Sequence, residues 1–164
     1  MKTAGLIGGM SFESTVPYYT LINEYVRDTL GGLHSAKIVL YSVEFDEIEK
    51  CQSGNDWEKA AGILGDAAKK LEKGGADFIL ICTNTMHKVY DEVRSMVNVP
   101  LIHIADATGD VLERDSIKKV ALLGTKYTMK EDFYKKRLLD RGFDVVIPDD
   151  SDVELVNRVI FDEL

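Results

Sequence analysis

Short apolar runs recur along the chain, and each is followed by a longer segment whose apolar positions repeat at helical spacing. The runs predict strands at Thr3–Ile7, Lys37–Val43, Asp77–Cys82, Pro100–Ile104, Lys119–Leu123 and Asp144–Ile147. The periodic segments predict helices at Ser14–Leu30, Asp56–Lys73, His87–Val97, Asp106–Arg114, Met129–Arg141 and from Asp152 onward. Such alternation builds a parallel sheet with helices on both faces, an α/β three-layer sandwich. Phe78-Ile79-Leu80-Ile81-Cys82 has no polar alternation, as a strand covered on both faces requires. Gly31-Gly32 and Gly74-Gly75 are placed to end the first two helices, and Ser151 or Asp152 to cap the last.

A boundary is expected near Ile104–Asp110, because four strand-helix units precede it and Lys119 begins a fresh series. Two α/β lobes follow, 1–105 and 106–164, the second incomplete. The last helix carries an apolar stripe, Val153, Val156, Ile160 and Leu164, with no Gly, Asn or basic turn at its end. Such a stripe predicts that the fold continues past it, or that it finds another packing partner.

Composition narrows the partners. Of 164 residues, 28 are acidic and 20 basic, a net charge of −8, which argues against a nucleic-acid partner. The 45% apolar content suits a soluble globular protein, and no apolar run reaches the roughly 18 residues of a membrane span. The start, Met1-Lys2-Thr3-Ala4-Gly5, lacks a signal-peptide core. Cys51 and Cys82 are too few for a disulfide framework and wrongly spaced for zinc, so reduced thiols in a cytoplasmic protein are expected. His34, His87 and His103 show no paired spacing, so no metal site is expected, and His103 reads as a hydrogen-bonded core residue. Trp57 and Tyr18-Tyr19 read as packing residues.

In an open parallel sheet, ligands bind beyond the carboxyl ends of the strands. Three such turns are small or hydroxyl-rich and lead into helices: Gly8-Gly9-Met10-Ser11, Thr83-Asn84-Thr85-Met86-His87 and Gly124-Thr125-Lys126-Tyr127-Thr128. Capping alone explains any one of them. Three at one edge of one sheet point to an anion site, where free backbone N–H groups and helix dipoles favour a carboxylate or phosphate. Neither G-x-G-x-x-G nor G-x-x-x-x-G-K-[ST] occurs, so a small carboxylate ligand fits better than a nucleotide.

These turns, with Leu122-Leu123 before Gly124-Thr125, resemble the three motifs of the aspartate/glutamate racemase family. The likeness extends through Tyr18-Tyr19, Leu33-His34-Ser35-Ala36, Cys82–Val89 and His103–Gly109, and is nearest the broad-specificity amino-acid racemase branch. The resemblance implies a cofactor-independent racemase of two pseudo-symmetric lobes, usually a homodimer, acting on a small amino-acid substrate held between the lobes. Inversion at Cα without a cofactor needs an acid/base group on each side of a flat carbanion. The family supplies a cysteine on each side.

Two departures stand out. The family reads Cys-Asn-Thr where this chain has Thr83-Asn84-Thr85, with Cys82 one place earlier. Thr83 and Cys82 are thus the two candidate catalytic residues, and in an extended strand they would face opposite sides. An alcohol is a far poorer base than a thiol, so racemisation is expected to be lopsided. The family's second cysteine lies in a Gly-Cys-Thr motif absent from this sequence, and the likeness covers about the first two thirds of a family member, so impaired activity is expected.

The resemblance assigns substrate binding to Met10, Ser11, Gln52, Thr83, Asn84, Thr85 and Thr125. For Gln52 an ordinary surface position is an equal alternative, and Cys51 reads as a helix-packing residue rather than a second catalytic thiol. The alternative function is a non-catalytic amino-acid or dicarboxylate binding protein of the same fold. A further one is another enzyme of the superfamily, such as a decarboxylase or hydantoin racemase.

Overall fold

A computed structural model describes residues 1–163. The chain divides into two compact units, Met1–Ile102 and the segment from His103 onward. In the first unit, β1 (Thr3–Gly8), β2 (Lys37–Ser42), β3 (Phe78–Ile81) and β4 (Leu101–Ile102) form a parallel sheet in the order β2-β1-β3-β4. The innermost strands carry unbroken apolar runs. From Ala4 to Met10 every residue is buried, as a central parallel strand requires. β4 shrinks to two residues behind Pro100, which has no N–H to give; its carbonyl still accepts from Ile79.

The connections are helical. α1 (Phe12–Leu30) follows β1, and α2 (Phe45–Ser53) and α3 (Trp57–Lys73) follow β2. α2 is absent from the sequence-based prediction: in nine residues its apolar signal is only Phe45, Ile48 and Cys51 among charges. Tertiary packing buries Ile48 and Cys51 and so selects the helix. α3 turns Ala60, Ala61, Leu64, Ala67, Ala68 and Leu71 to the core, where they pack with Ile7, Ile79 and Ile81. α1 is different. Only Thr15 on it is buried, while Phe12, Val16 and Tyr19 form an exposed stripe at spacings of four and three. Tyr19 is therefore not the packing residue its sequence context predicts, whereas Tyr18 is half-buried.

After β3 the chain enters a 3-10 turn, Thr85–Val89, and then α4 (Tyr90–Ser95), so the helix expected over His87–Val97 starts earlier and in the tighter form.

The second unit has its own two-stranded parallel sheet, β5 (Lys119–Ala121) with β6 (Asp144–Val146). Around it lie α5 (Ile104–Arg114), α6 (Lys126–Lys130), α7 (Asp132–Asp140) and α8 (Asp150–Asp162). The helix predicted over Met129–Arg141 is two, broken where Glu131 adopts an extended conformation that no Gly or Pro announces. The core here is Ala105, Tyr134, Leu138 and Phe143. Arg141 clasps α5 from the end of α7, donating to the Asp106 carbonyl, Glu113 and Asp110. α8 is capped by Asp149, not by Ser151 or Asp152, whose N–H is instead the group Asp149 accepts from. Of its predicted stripe Val153 is buried, Val156 and Ile160 are half-buried, and Leu164 lies outside the described residues.

Candidate functional site

Two of the three turns lie side by side, because β1 and β3 are neighbours in the first sheet. The third does not join them on that sheet. Thr125 follows β5 in the separate two-stranded sheet, where β5 pairs with β6 among the described residues, so the expectation of three turns on one sheet edge is corrected. The Thr125 hydroxyl there accepts from the Thr128 N–H and caps α6, the ordinary use of such a residue.

The β1 turn is built around Gly9. Its φ is +88°, and a Cβ there would lie 2.3 Å from the Val43 carbonyl oxygen, so only glycine fits. The Thr15 hydroxyl accepts from the Gly9 N–H at 2.9 Å and donates to the Ser11 carbonyl at 2.8 Å. Ser11 sits at the N-cap of α1 yet makes no side-chain cap bond. Asn84 holds the same position ahead of the 3-10 turn and likewise makes none. Glu44, Asp56, His103, Thr125 and Asp149 all cap their helices with side chains. Ser11 and Asn84, equally able to cap, leave two adjacent helical N-termini without side-chain caps.

Burial sorts the remaining predicted residues. Thr83 is half-buried and Asn84 exposed, whereas Cys82, Thr85, Met10 and Gln52 are buried. Met10 belongs to the apolar core, so its side chain is spent on packing. Gln52 is not a surface residue. Its amide donates to Met86 Sδ at 3.0 Å, beneath the turn, while Lys50 stays exposed and pairs with Asp46. Cys51 packs in the core beside it. Trp57 is half-buried, with the Lys88 ammonium 4.0 Å from its ring centroid. His103 is buried, and its Nδ1 accepts from the Ala105 N–H. Among the described residues, no His/Cys/Asp/Glu group could hold a metal ion.

The strand ends at Ile81, before Cys82 and Thr83, yet the two residues still have unlike environments. Burial pushes the Cys82 thiol from 9.0 up to about 12. At neutral pH the thiol therefore stays protonated.

Two residues to which the sequence assigned no role at the site complete the turn. Ser14 donates to the Ser11 and Cys82 carbonyls, each at 2.9 Å, tying the β1 turn to the end of β3. His87 Nδ1 lies 2.9 Å from the Thr83 carbonyl. The readable signal was spacing: Ser14 and Thr15 follow Ser11 by three and four, where helix hydroxyls reach back to carbonyls.

Comparison with known proteins shows the family. The Asp/Glu/hydantoin racemase family matches residues 7–163. The chain belongs to that family. It is 31% identical to the broad-specificity amino-acid racemase of Bacillus subtilis (strain 168) over 159 residues, 95% of this chain and 68% of that protein. A crystal structure of a proposed Asp/Glu racemase from Yersinia pestis superposes with a TM-score of 0.93 at 54% identity, covering 99% of this chain and 71% of that one. An aspartate racemase homologue from Pyrococcus horikoshii OT3 gives 0.87 at 42%, covering 100% and 72%. The racemase parallel-sheet α/β fold expected from the sequence is thus the fold observed. Among the described residues no helix is long and apolar enough to cross a membrane.

Proposed function

We propose that the chain performs proton transfer at Cα of aspartate, glutamate or a related amino acid, without a cofactor, with Thr83 as the acid/base group on one face. The observation that carries this reading is the pair of uncapped helical N-termini beside a half-buried hydroxyl. Ser11, Asn84 and the backbone N–H groups of the two turns receive the α-carboxylate, and so stabilise the charge that develops when Cα loses its proton. Thr83 returns or relays the proton; Cys82, buried and protonated, supports the strand end. Thr85 and Met10 form the wall behind, and Gln52 acts through Met86.

Neither cysteine of this chain suits the second face, since both are buried. Exchange by these residues alone is therefore slow and favours one enantiomer. Its two unpaired cysteines suit a reducing, cytoplasmic setting. The exposed α1 stripe of Phe12, Val16 and Tyr19 suits a homodimer.

The test is deuterium uptake at Cα of L- and D-aspartate and glutamate in D₂O, followed by proton NMR, with Thr83→Ala as the comparison. Uptake that falls on Thr83→Ala is expected. Binding of the amino acid by calorimetry without uptake would replace this reading by that of a non-catalytic binding protein. Neither binding nor uptake would remove both.

A further inference from the structure

We infer that Ser14 and His87 are positioning residues that together aim the Thr83 side chain. The inference rests on the proposed role of Thr83. A peptide group is planar, so a residue's backbone conformation is the relation between the planes on its two sides, and that relation sets where its Cβ points. Both planes around Thr83 are held by side chains from other elements or later in the chain. The Cys82 carbonyl, in the plane before Thr83, accepts from the Ser14 hydroxyl at 2.9 Å. The Thr83 carbonyl, in the plane after it, lies 2.9 Å from His87 Nδ1. The Asn84 carbonyl is 3.3 Å from the same nitrogen. Carbonyls only accept, so Nδ1 carries the proton.

Both holders are themselves fixed. Ser14 shares its single proton between the Cys82 and Ser11 carbonyls, so a shift of either turn is felt by the other. The His87 ring is buried and stacks on Tyr90, with centroids 6.3 Å apart and planes 10° from parallel. Tyr90 in turn donates its hydroxyl to the Leu101 carbonyl at 2.6 Å, which anchors it to β4. One peptide further back, the Ile81–Cys82 plane is held by the Cys82 N–H, which donates to the Ile7 carbonyl. Thr83, the first half-buried residue after this strand, is thus clamped on both sides where a free strand end would leave it loose. An acid/base group misplaced by about 1 Å loses on the order of a hundredfold in rate, so such a clamp has a use that capping alone does not.

The experiment pairs removal with rescue. Ser14→Ala and His87→Leu delete each bond, while Ser14→Thr keeps the hydroxyl and His87→Asn places an amide donor near Nδ1. Ser95→Ala, which deletes a hydroxyl-to-carbonyl bond in α4, is the control. Cα deuterium uptake is expected to fall about tenfold or more in kcat for the two deletions, with KM little changed, and to recover in Ser14→Thr and His87→Asn. In a Thr83→Ala background, neither deletion should lower uptake further.

Equal losses with and without Thr83, or a loss in KM alone, would overturn the inference. A second readout does not depend on activity: the Thr83 methyl, labelled with ¹³C, should report one side-chain rotamer in the wild-type chain and averaging in the deletions. An unchanged Thr83 methyl in both deletions also overturns it. If no amino acid exchanges, the racemase reading fails, and the methyl readout still decides the clamp.

Discussion

Gln52 donates its side-chain amide to Met86 Sδ at 3.0 Å, joining α2 to the turn that follows β3. Both side chains are buried, so the contact braces the candidate site from within. Truncating Gln52 leaves a void beneath Met86. Gln52→Ala should cost about 1–3 kcal/mol of stability, read as a lower urea midpoint. A midpoint equal to the wild type would make Gln52 a ligand-facing residue instead.

Gly9 cannot be replaced without moving backbone. Its positive φ and the Val43 carbonyl 2.3 Å from a built Cβ both oppose a side chain. Gly9→Ala should destabilise by more than about 1 kcal/mol, and should abolish Cα exchange because the turn that presents Ser11 is displaced. Retained exchange with normal stability would show that the turn tolerates another path.

The buried Cys82 thiol makes stability fall in alkali. Its folded pKa, about 12, lies above its ordinary 9.0, so the neutral thiol is the form that folding favours. The contribution is present below about 9 and is lost as pH rises towards 12, where the unfolded chain has ionised first. Cys82→Ala should flatten urea-monitored stability across that window, whatever it costs at neutral pH. Slow alkylation of Cys82 at pH 8 in the native chain is the companion expectation, and rapid labelling would contradict it.

Within the second unit, Arg141 ties α5 to the end of α7 through three partners, with its guanidinium packed on Gly109. These bonds hold Glu113 below the usual carboxylate range, chiefly through the hydrogen bond from Arg141. Gly109→Ala would set a Cβ 2.5 Å from Arg141 Nη1 and should loosen the clasp. Hydrogen exchange across Ile104–Arg114 should accelerate in both Gly109→Ala and Arg141→Ala. Arg141→Lys should fall between, because an ammonium cannot span the same fork.

Phe12, Val16 and Tyr19 are exposed along α1. Light scattering should give a mass of twice 18.3 kDa, and Val16→Asp should return it to one chain. A wild-type monomer would reject the homodimer reading.

Periodicity and turn chemistry are local, and what they specify is what the sequence determined. The apolar runs read as strands at Thr3–Ile7 and Asp77–Cys82 form buried parallel strands, and the glycines and hydroxyls after them marked the ends of the sheet where ligands gather. From its three turn motifs, 8–11, 83–87 and 122–125, the chain could be matched to its family before any contact was known. α2 was invisible because its helix depends on packing Ile48 and Cys51 into a core assembled by distant segments. The break at Glu131 left no mark in residue type.

The same holds for the site. Sequence named Thr83 and Cys82 as the catalytic candidates and Gln52 as a substrate-binding position with a surface role as its equal alternative. Burial then separated them, because desolvation raises a thiol's pKa and a long-range sheet decides which residue is desolvated. Ser14 reaches a carbonyl 68 positions away, a pairing that no local pattern encodes and that only the parallel alignment of β1 with β3 brings within 2.9 Å.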